Sequence, residues 1–147
     1  MSSSVPNAIP AFISIAQAAL PASFTVRFSQ VFNPYVAPQS LLITGVTFNV
    51  DEFAELGPRY QHEEHYNLEC CLVSTAGNDD PMTRLSEVYA LYKDITIAVA
   101  AKPTLNGTVR LAWCRQLSYE PTTDAKGLGV GQLNFEVQVE ARVDSLD

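Results

Sequence analysis

Two histidines flanking two glutamates, His62-Glu63-Glu64-His65, form the cluster in this chain that most invites a chemical reading. A zinc-protease helix needs its histidines four residues apart so that both face one metal, and here the spacing is three. In the strand expected around them the two rings fall on opposite faces, which removes a shared ligand site. The pattern predicts a polar strand start facing solvent or a neighbouring subunit, with no metal. Gly127-Leu128-Gly129-Val130-Gly131 superficially resembles a phosphate-binding loop. No lysine follows it, and a strand rather than a helix comes next, so no helix N-terminus is offered to an anion. It is expected as a flexible hinge beneath a protruding loop over residues 119–131, with Pro121 to Lys126 at the tip. No serine sits in a Gly-x-Ser-x-Gly elbow, and the cysteines lack an activating helix-terminal setting. Cys70, Cys71 and Cys114 are odd in number and lack ligand-like spacing, which points to a reduced, intracellular folding environment. Adjacent Cys70 and Cys71 point to opposite faces of a strand, so at most one faces the core. Tyr89, Tyr92, Trp113 and Tyr119 are expected in core packing rather than in a ligand platform. The chain reads as a non-enzyme with no catalytic residues and no cofactor.

The elements that hold these residues follow from periodicity. Asn7 is expected to cap a short helix with Pro10 in its first turn, with Ile9, Phe12, Ile13, Ala16, Ala19 and Leu20 on its apolar face and Pro21 as its stop. Residues 1–6 read as a loose N-terminal arm. Phe24, Val26 and Phe28 alternate with polar residues in a first strand, and Ser40 to Val46 is a nearly continuous apolar run suited to a central one. Thr47 to Tyr60 mixes apolar and acidic residues around Gly57-Pro58 and has no clear period. Glu63 to Ser74 alternates, with Tyr66, Leu68, Cys70 and Leu72 on one face. Asp80 is the expected cap of a long helix with Pro81 at its first position, and Leu85, Val88, Tyr89, Tyr92, Ile95 and Val99 form its buried face. A turn over Pro103 to Gly107 leads to a strand over Thr108 to Trp113, and Leu133 to Val143 alternates in a closing strand. The order α-β-β-β-α-β-β predicts an α+β fold, a mostly antiparallel sheet of about five strands with two helices packed on it.

A long helix followed by "KPTLNGTVRLAW", a mobile loop and a closing "FEVQVEARV" strand resembles the tail-terminator family of long-tailed bacteriophages. The resemblance is a pattern rather than an invariant motif. It is strongest over Asp80 to Val143, and the upstream order of elements is compatible with it. What it implies is a structural virion protein: a ring, usually of six subunits, that caps the growing tail tube, stops its polymerisation and joins it to the head. The implied partners are further copies of the chain, the tail tube protein and a head-completion or neck protein. DNA would pass through the ring without specific binding. The implied location is the head-proximal end of the tail, after assembly in the host cytoplasm.

Composition fits that picture without specifying it. The 147 residues suit one domain, large enough to fold without a metal or disulfide staple. A formal net charge of −7, with nine scattered Lys and Arg, argues against binding driven by phosphate neutralisation. In a ring, such acidity would keep a lumen from holding DNA; in isolation it keeps a small protein soluble. The N-terminus lacks a basic, cleavable apolar leader, and Ala8 to Leu20 is too short to span a bilayer, so no membrane association is expected. Subunit and partner contacts are expected at Asp51, Glu52, Glu55 and Arg59, at Tyr119, Asp124, Lys126 and Leu128, and along edge strands. Two other readings remain open: another head–tail connector or minor tail subunit, and a small-molecule-binding α+β domain with the His62–His65 region at its mouth.

Overall fold

The computed structural model of the chain describes residues 3–28, 39–48, 55–56, 61–74, 80–123 and 129–144. The elements run α1 (Val5–Ala19), β1 (Thr25–Phe28), β2 (Gln39–Phe48), β3 (Glu55–Leu56), β4 (Gln61–Ser74), α2 (Pro81–Ala101), β5 (Leu111–Thr123) and β6 (Gly129–Asp144). The strands lie in the order β1-β2-β4-β6-β5, with the two-residue β3 paired to β4. Every neighbouring pair is antiparallel except β1 and β2, which are parallel. This is the expected α+β fold, with its two helices on a mixed, mostly antiparallel sheet.

Alternation decides which face is covered. Leu41 and Ile43 of β2, Tyr66, Leu68, Cys70 and Leu72 of β4, and Leu133, Phe135, Val137, Val139 and Ala141 of β6 join one buried cluster with Ala8, Phe12 and Ile15 of α1 and Val88, Ile95 and Val99 of α2. The helices therefore sit on one side of the sheet, here termed the helical face. Tyr92 packs its ring 5.0 Å from Phe135 across this layer. The opposite, open face carries the alternate residues. At one end of it Cys71, Val73 and Val130 form a smaller buried cluster. Cys70 thus faces the main core and Cys71 the other side, as adjacent strand positions must.

Helix α2 begins as its sequence predicts. The Asp80 carboxylate accepts the Met82 N–H at 3.1 Å and the Thr83 hydroxyl at 2.7 Å, and Pro81 occupies the first turn, where no N–H is needed. These bonds to the ionised form hold the Asp80 pKa below its ordinary value. After the helix, Leu105, Asn106 and Gly107 adopt positive φ angles of 46°, 58° and 84°. Leu105 takes this unfavourable conformation with its side chain fully buried, so packing offsets the backbone cost.

Helix α1 starts earlier than expected. Ser4, not Asn7, is its N-cap, and Pro6 lies in the first turn, while Pro10 sits inside the helix on an exposed position. The sequence has two prolines with first-turn geometry, and the spacing alone favours the wrong one. Residues 3–6 also do not form a loose arm. Glu64 of β4 accepts the Ser4 N–H at 2.8 Å, the Ser4 hydroxyl at 2.9 Å and the Ser3 hydroxyl at 2.7 Å, and Tyr66 shares the Ser4 hydroxyl at 2.8 Å. The Val5 N–H goes to Ser3 Oγ. A carboxylate from the sheet thereby meets the positive end of the helix.

The C-terminal half departs from expectation in two further places. The strand after the turn begins at Leu111, not Thr108, and runs on to Thr123. Residues 119–123 and 129–131, expected in a protruding loop, are consecutive ladder positions of β5 and β6. Of the glycines read as a hinge, Gly127 lies outside the described residues, and Gly129 and Gly131 serve close packing instead. A Cβ on Gly131 would lie 2.7 Å from Tyr119 Oη and 3.0 Å from Val88 Cγ2, and one on Gly129 would lie within the Arg84 guanidinium. Glycine here lets α2 side chains rest on the sheet backbone. Gly131→Val is expected to cost about 1–3 kcal/mol in a denaturant titration, because Val88 is fully buried and has little room to retreat.

Candidate assembly surface

The open face is ordered as cross-strand rows. His65 of β4, Glu140 of β6 and Leu111 of β5 form one, Asn67, Gln138 and Trp113 the next, and Glu69, Glu136 and Arg115 a third. Most cations on this face are held by carboxylates. Glu63 Oε1 pairs with Arg110 at 3.3 Å and Arg142 at 3.6 Å, and Glu136 pairs with Arg115 at 3.7 Å. His65 lies between Glu63, 3.5 Å from Nε2, and Glu140, 4.0 Å from Nδ1. The carboxylates flank different ring nitrogens, and Glu63 is already engaged by two arginines. Among the described residues no group of three or more His, Cys, Asp or Glu side chains is placed to hold a metal ion.

A trough lined by His65, Asn67, Trp113, Arg115, Gln138 and Glu140 crosses the middle rows. Trp113 lines it from the open face, exposed, so the expectation that it packs in the core beside the helix is corrected. The reason is parity: a strand that begins at Leu111 turns Ala112 and Cys114 to the helices and Trp113 away. Tyr89, Tyr92 and Tyr119 do pack against the core, Tyr89 and Tyr119 with ring centroids 6.0 Å apart.

The edges of the sheet differ in kind. Among the described residues β1 pairs with β2 alone and β5 with β6 alone. At the β5 edge the ladder slips between Gln116 and Ser118, leaving Leu117 in a bulge and 52% exposed. Pro121, four residues after Leu117, cannot donate to a further strand. A bulge and a proline protect a long edge from indiscriminate pairing and leave only a short stretch competent. The β1 edge ends in Phe28, 46% exposed, next to exposed Arg27.

Of the residues expected at interfaces, Asp51, Glu52, Arg59, Asp124, Lys126 and Leu128 lie outside the described residues. Glu55 is in β3, paired with His62. Tyr119 is in β5 rather than in a loop, turned to the helical face. The bulge at Leu117 and the exposed Arg27 escaped the sequence reading. The run Gln116-Leu117-Ser118, which breaks the alternation of β5, is the one signal that could have found the bulge.

The thiols are built for inertness. Burial pushes the Cys71 and Cys114 pKa values up to about 12, and that of Cys70 well above its ordinary value. Burial likewise raises the Tyr66 hydroxyl to about 12. These groups stay protonated in the fold at pH values where the unfolded chain has already lost the protons. Stability is therefore full below the ordinary thiol range near pH 9 and falls as pH rises toward 12. The urea midpoint is expected to be lower at pH 10.5 than at pH 8, and thiol reagents to label the native protein far more slowly than the unfolded one.

Among the described residues no helix is long and apolar enough to cross a membrane. No family model matches the chain, and no curated protein matches it. Among solved structures, a chain from the virion of a native gene transfer agent particle is similar, at 14% identity, with 93% of this chain and 92% of that chain covered and a TM-score of 0.38.

Proposed function

We propose that this chain is a tail terminator: a virion subunit that forms a ring, caps the tail tube and joins it to the head through a neck protein. The observation that carries the reading is the open sheet, whose two outer strands each pair on one side alone among the described residues and expose Phe28, Leu111 and Leu117 at its margins. Sheet edges of this kind offer unpaired backbone groups to another chain. The sequence pattern over Asp80 to Val143 supplies the family. The mechanism is geometric. Subunits pair laterally, one ring face matches the last tube ring, and the other does not accept a tube subunit, so polymerisation ends with no bond made or broken.

Light scattering across a wide concentration range, with electron micrographs of the heaviest species, tests this directly. The expected species is an annulus near six times 16.1 kDa, formed either alone or on tube tips. A chain that stays monomeric both alone and with tail tubes would overturn the reading.

One observation favours a second reading, the binding of a small polar molecule. Asn67 Oδ1 is buried beside the trough with no hydrogen-bond partner among the described residues. Asn67→Leu separates the two readings. As a terminator, the variant keeps its assembly and gains stability by losing an unsatisfied polar atom. As a binding protein, it loses a thermal shift that the parent shows with its ligand in a small-molecule screen.

A further inference from the structure

The sheet's own geometry specifies how copies would meet. Reading across it, β1 and β2 run one way, β4 the opposite way, β6 with β2, and β5 against β6. The two edge strands β1 and β5 therefore point in opposite directions. Any cyclic repeat that continues the sheet sets β5 of one copy antiparallel to β1 of the next, the stronger and commoner pairing.

Height along the strands matches as well. Following the ladders across, Thr25 aligns with Ser40, Val73, Gln132 and Glu120, while Arg27 aligns with Leu42, Cys71, Asn134 and Ser118. Phe28 aligns in the same way, through Ile43, Cys70 and Phe135, with Gln116. A closed ring has no axial rise between copies, so β1 of one copy meets β5 of its neighbour at this level, within the shear set by strand tilt. That stretch runs from Gln116 to Glu120, across the Leu117 bulge and short of Pro121.

The side chains at that level are complementary. Arg27 is exposed on the open face and makes no ion pair among the described residues, whereas Arg110, Arg115 and Arg142 are all engaged. Glu120 is an exposed carboxylate on the same face, at the opposite edge. Phe28, on the helical side with Ile43 and Cys70, comes level with Gln116, while Leu117 lies on the open side with Gln132 and Asn134, near the level of Arg27. We propose that this chain joins its own next copy edge to edge, β1 against residues 116–120 of β5, with Arg27 paired to Glu120 on the open side of the seam and Phe28 meeting Gln116 on the helical side. The proposal rests on the ring reading above.

The curvature follows. Helices standing on one face of a closed sheet need the larger circumference, so they lie outside and the open face turns to the lumen. With six copies of five strands at about 4.8 Å spacing, the circumference is roughly 144 Å and the backbone diameter about 46 Å, wider than a DNA duplex after side chains are allowed for. The lumen would then carry Glu69 and Glu140 beyond the engaged arginines, a surface that does not retain phosphate. A joint of about four ladder positions is small, so a ring held by such joints assembles weakly until a tube tip templates it.

Cross-linking tests the seam. Arg27→Cys and Glu120→Cys in one chain, with Cys114→Ala to remove the least buried native thiol, is treated with a bismaleimide of about 10 Å reach, alone and with tail tubes. Within one copy the two positions stand four strand spacings apart, roughly 19 Å, so only a neighbour can be captured. The expected product is a ladder of multimers ending at a closed ring, absent when Glu87→Cys on α2 replaces Glu120→Cys. Rings in micrographs without a 27–120 ladder would overturn the seam and leave the terminator reading standing. Absence of rings under every condition would remove both.

Discussion

Leu117→Asp is expected to leave the fold nearly intact and to abolish ring formation and tail joining. Leu117 is half exposed in a bulge, so the substitution removes little burial within one copy and costs about 1 kcal/mol or less. In the ring the same position lies on the open side of the joint, beside Arg27 of the next copy and near Glu120. An aspartate there gives up apolar surface that the joint covers, buries a charge in it and competes with Glu120 for Arg27, a loss repeated at every joint of a closed assembly. Because ring closure needs all joints at once, a penalty of 1–2 kcal/mol per joint becomes many orders of magnitude in ring population. Unchanged circular dichroism and denaturant midpoint, with no annuli and no joined tails, is the expected result. The charge swap gives the same test in reverse: Arg27→Glu lowers assembly, and adding Glu120→Arg to that chain restores it. If Leu117→Asp assembled like the parent, the edge of β5 would not be the joint.

Much of this architecture is legible in the sequence, for reasons that differ from element to element. Strands β4 and β6 declare themselves because each has one face in a single apolar layer, so period-two alternation survives from Tyr66 to Leu72 and from Leu133 to Ala141, whereas β2 shows as a continuous apolar run because Leu41, Leu42 and Ile43 are all buried. Asp80-Pro81 announces α2 because cap chemistry is local. What stays hidden depends on contacts between distant residues. Nothing near Ser3 or Ser4 indicates that a carboxylate sixty residues away will receive them. The glycines at 129 and 131 look like a hinge until Arg84, Val88 and Tyr119 are seen pressing on that backbone. Trp113 was misplaced by a strand start set three residues early, which is enough to reverse parity. The edge features share this character. Arg27 and Glu120 are ordinary surface residues in sequence and acquire meaning only when the ladders bring them to nearly one height.

Replacing Glu64 should cost the fold more than any other polar substitution considered above. The side chain is 6% exposed and accepts three hydrogen bonds from Ser3 and Ser4, one of them from the backbone donor that opens α1. Two opposing effects must be weighed. A buried carboxylate carries a desolvation penalty, so an apolar replacement recovers some energy. Against that, Glu64→Leu strands the Ser4 N–H and the Ser3 hydroxyl in a half-buried site, leaves the Ser4 hydroxyl to Tyr66 alone and removes a negative charge from the helix N-terminus. Losing one partner of a buried, charge-assisted network outweighs the desolvation gain, and the net cost is about 2–4 kcal/mol. For a chain of this length that lowers Tm by roughly 5–15 °C. Glu64→Gln keeps the shape and one acceptor oxygen and should fall between, at about 1–2 kcal/mol. The loss should be local at first, with amide exchange accelerating over residues 4–9 before β4 and β6 open, because α1 meets the sheet end-on at this contact. Equal stability of Glu64→Leu and the parent would mean that packing of Phe12 and Ile15 alone fixes α1, and that the carboxylate only satisfies donors the helix could lose to water.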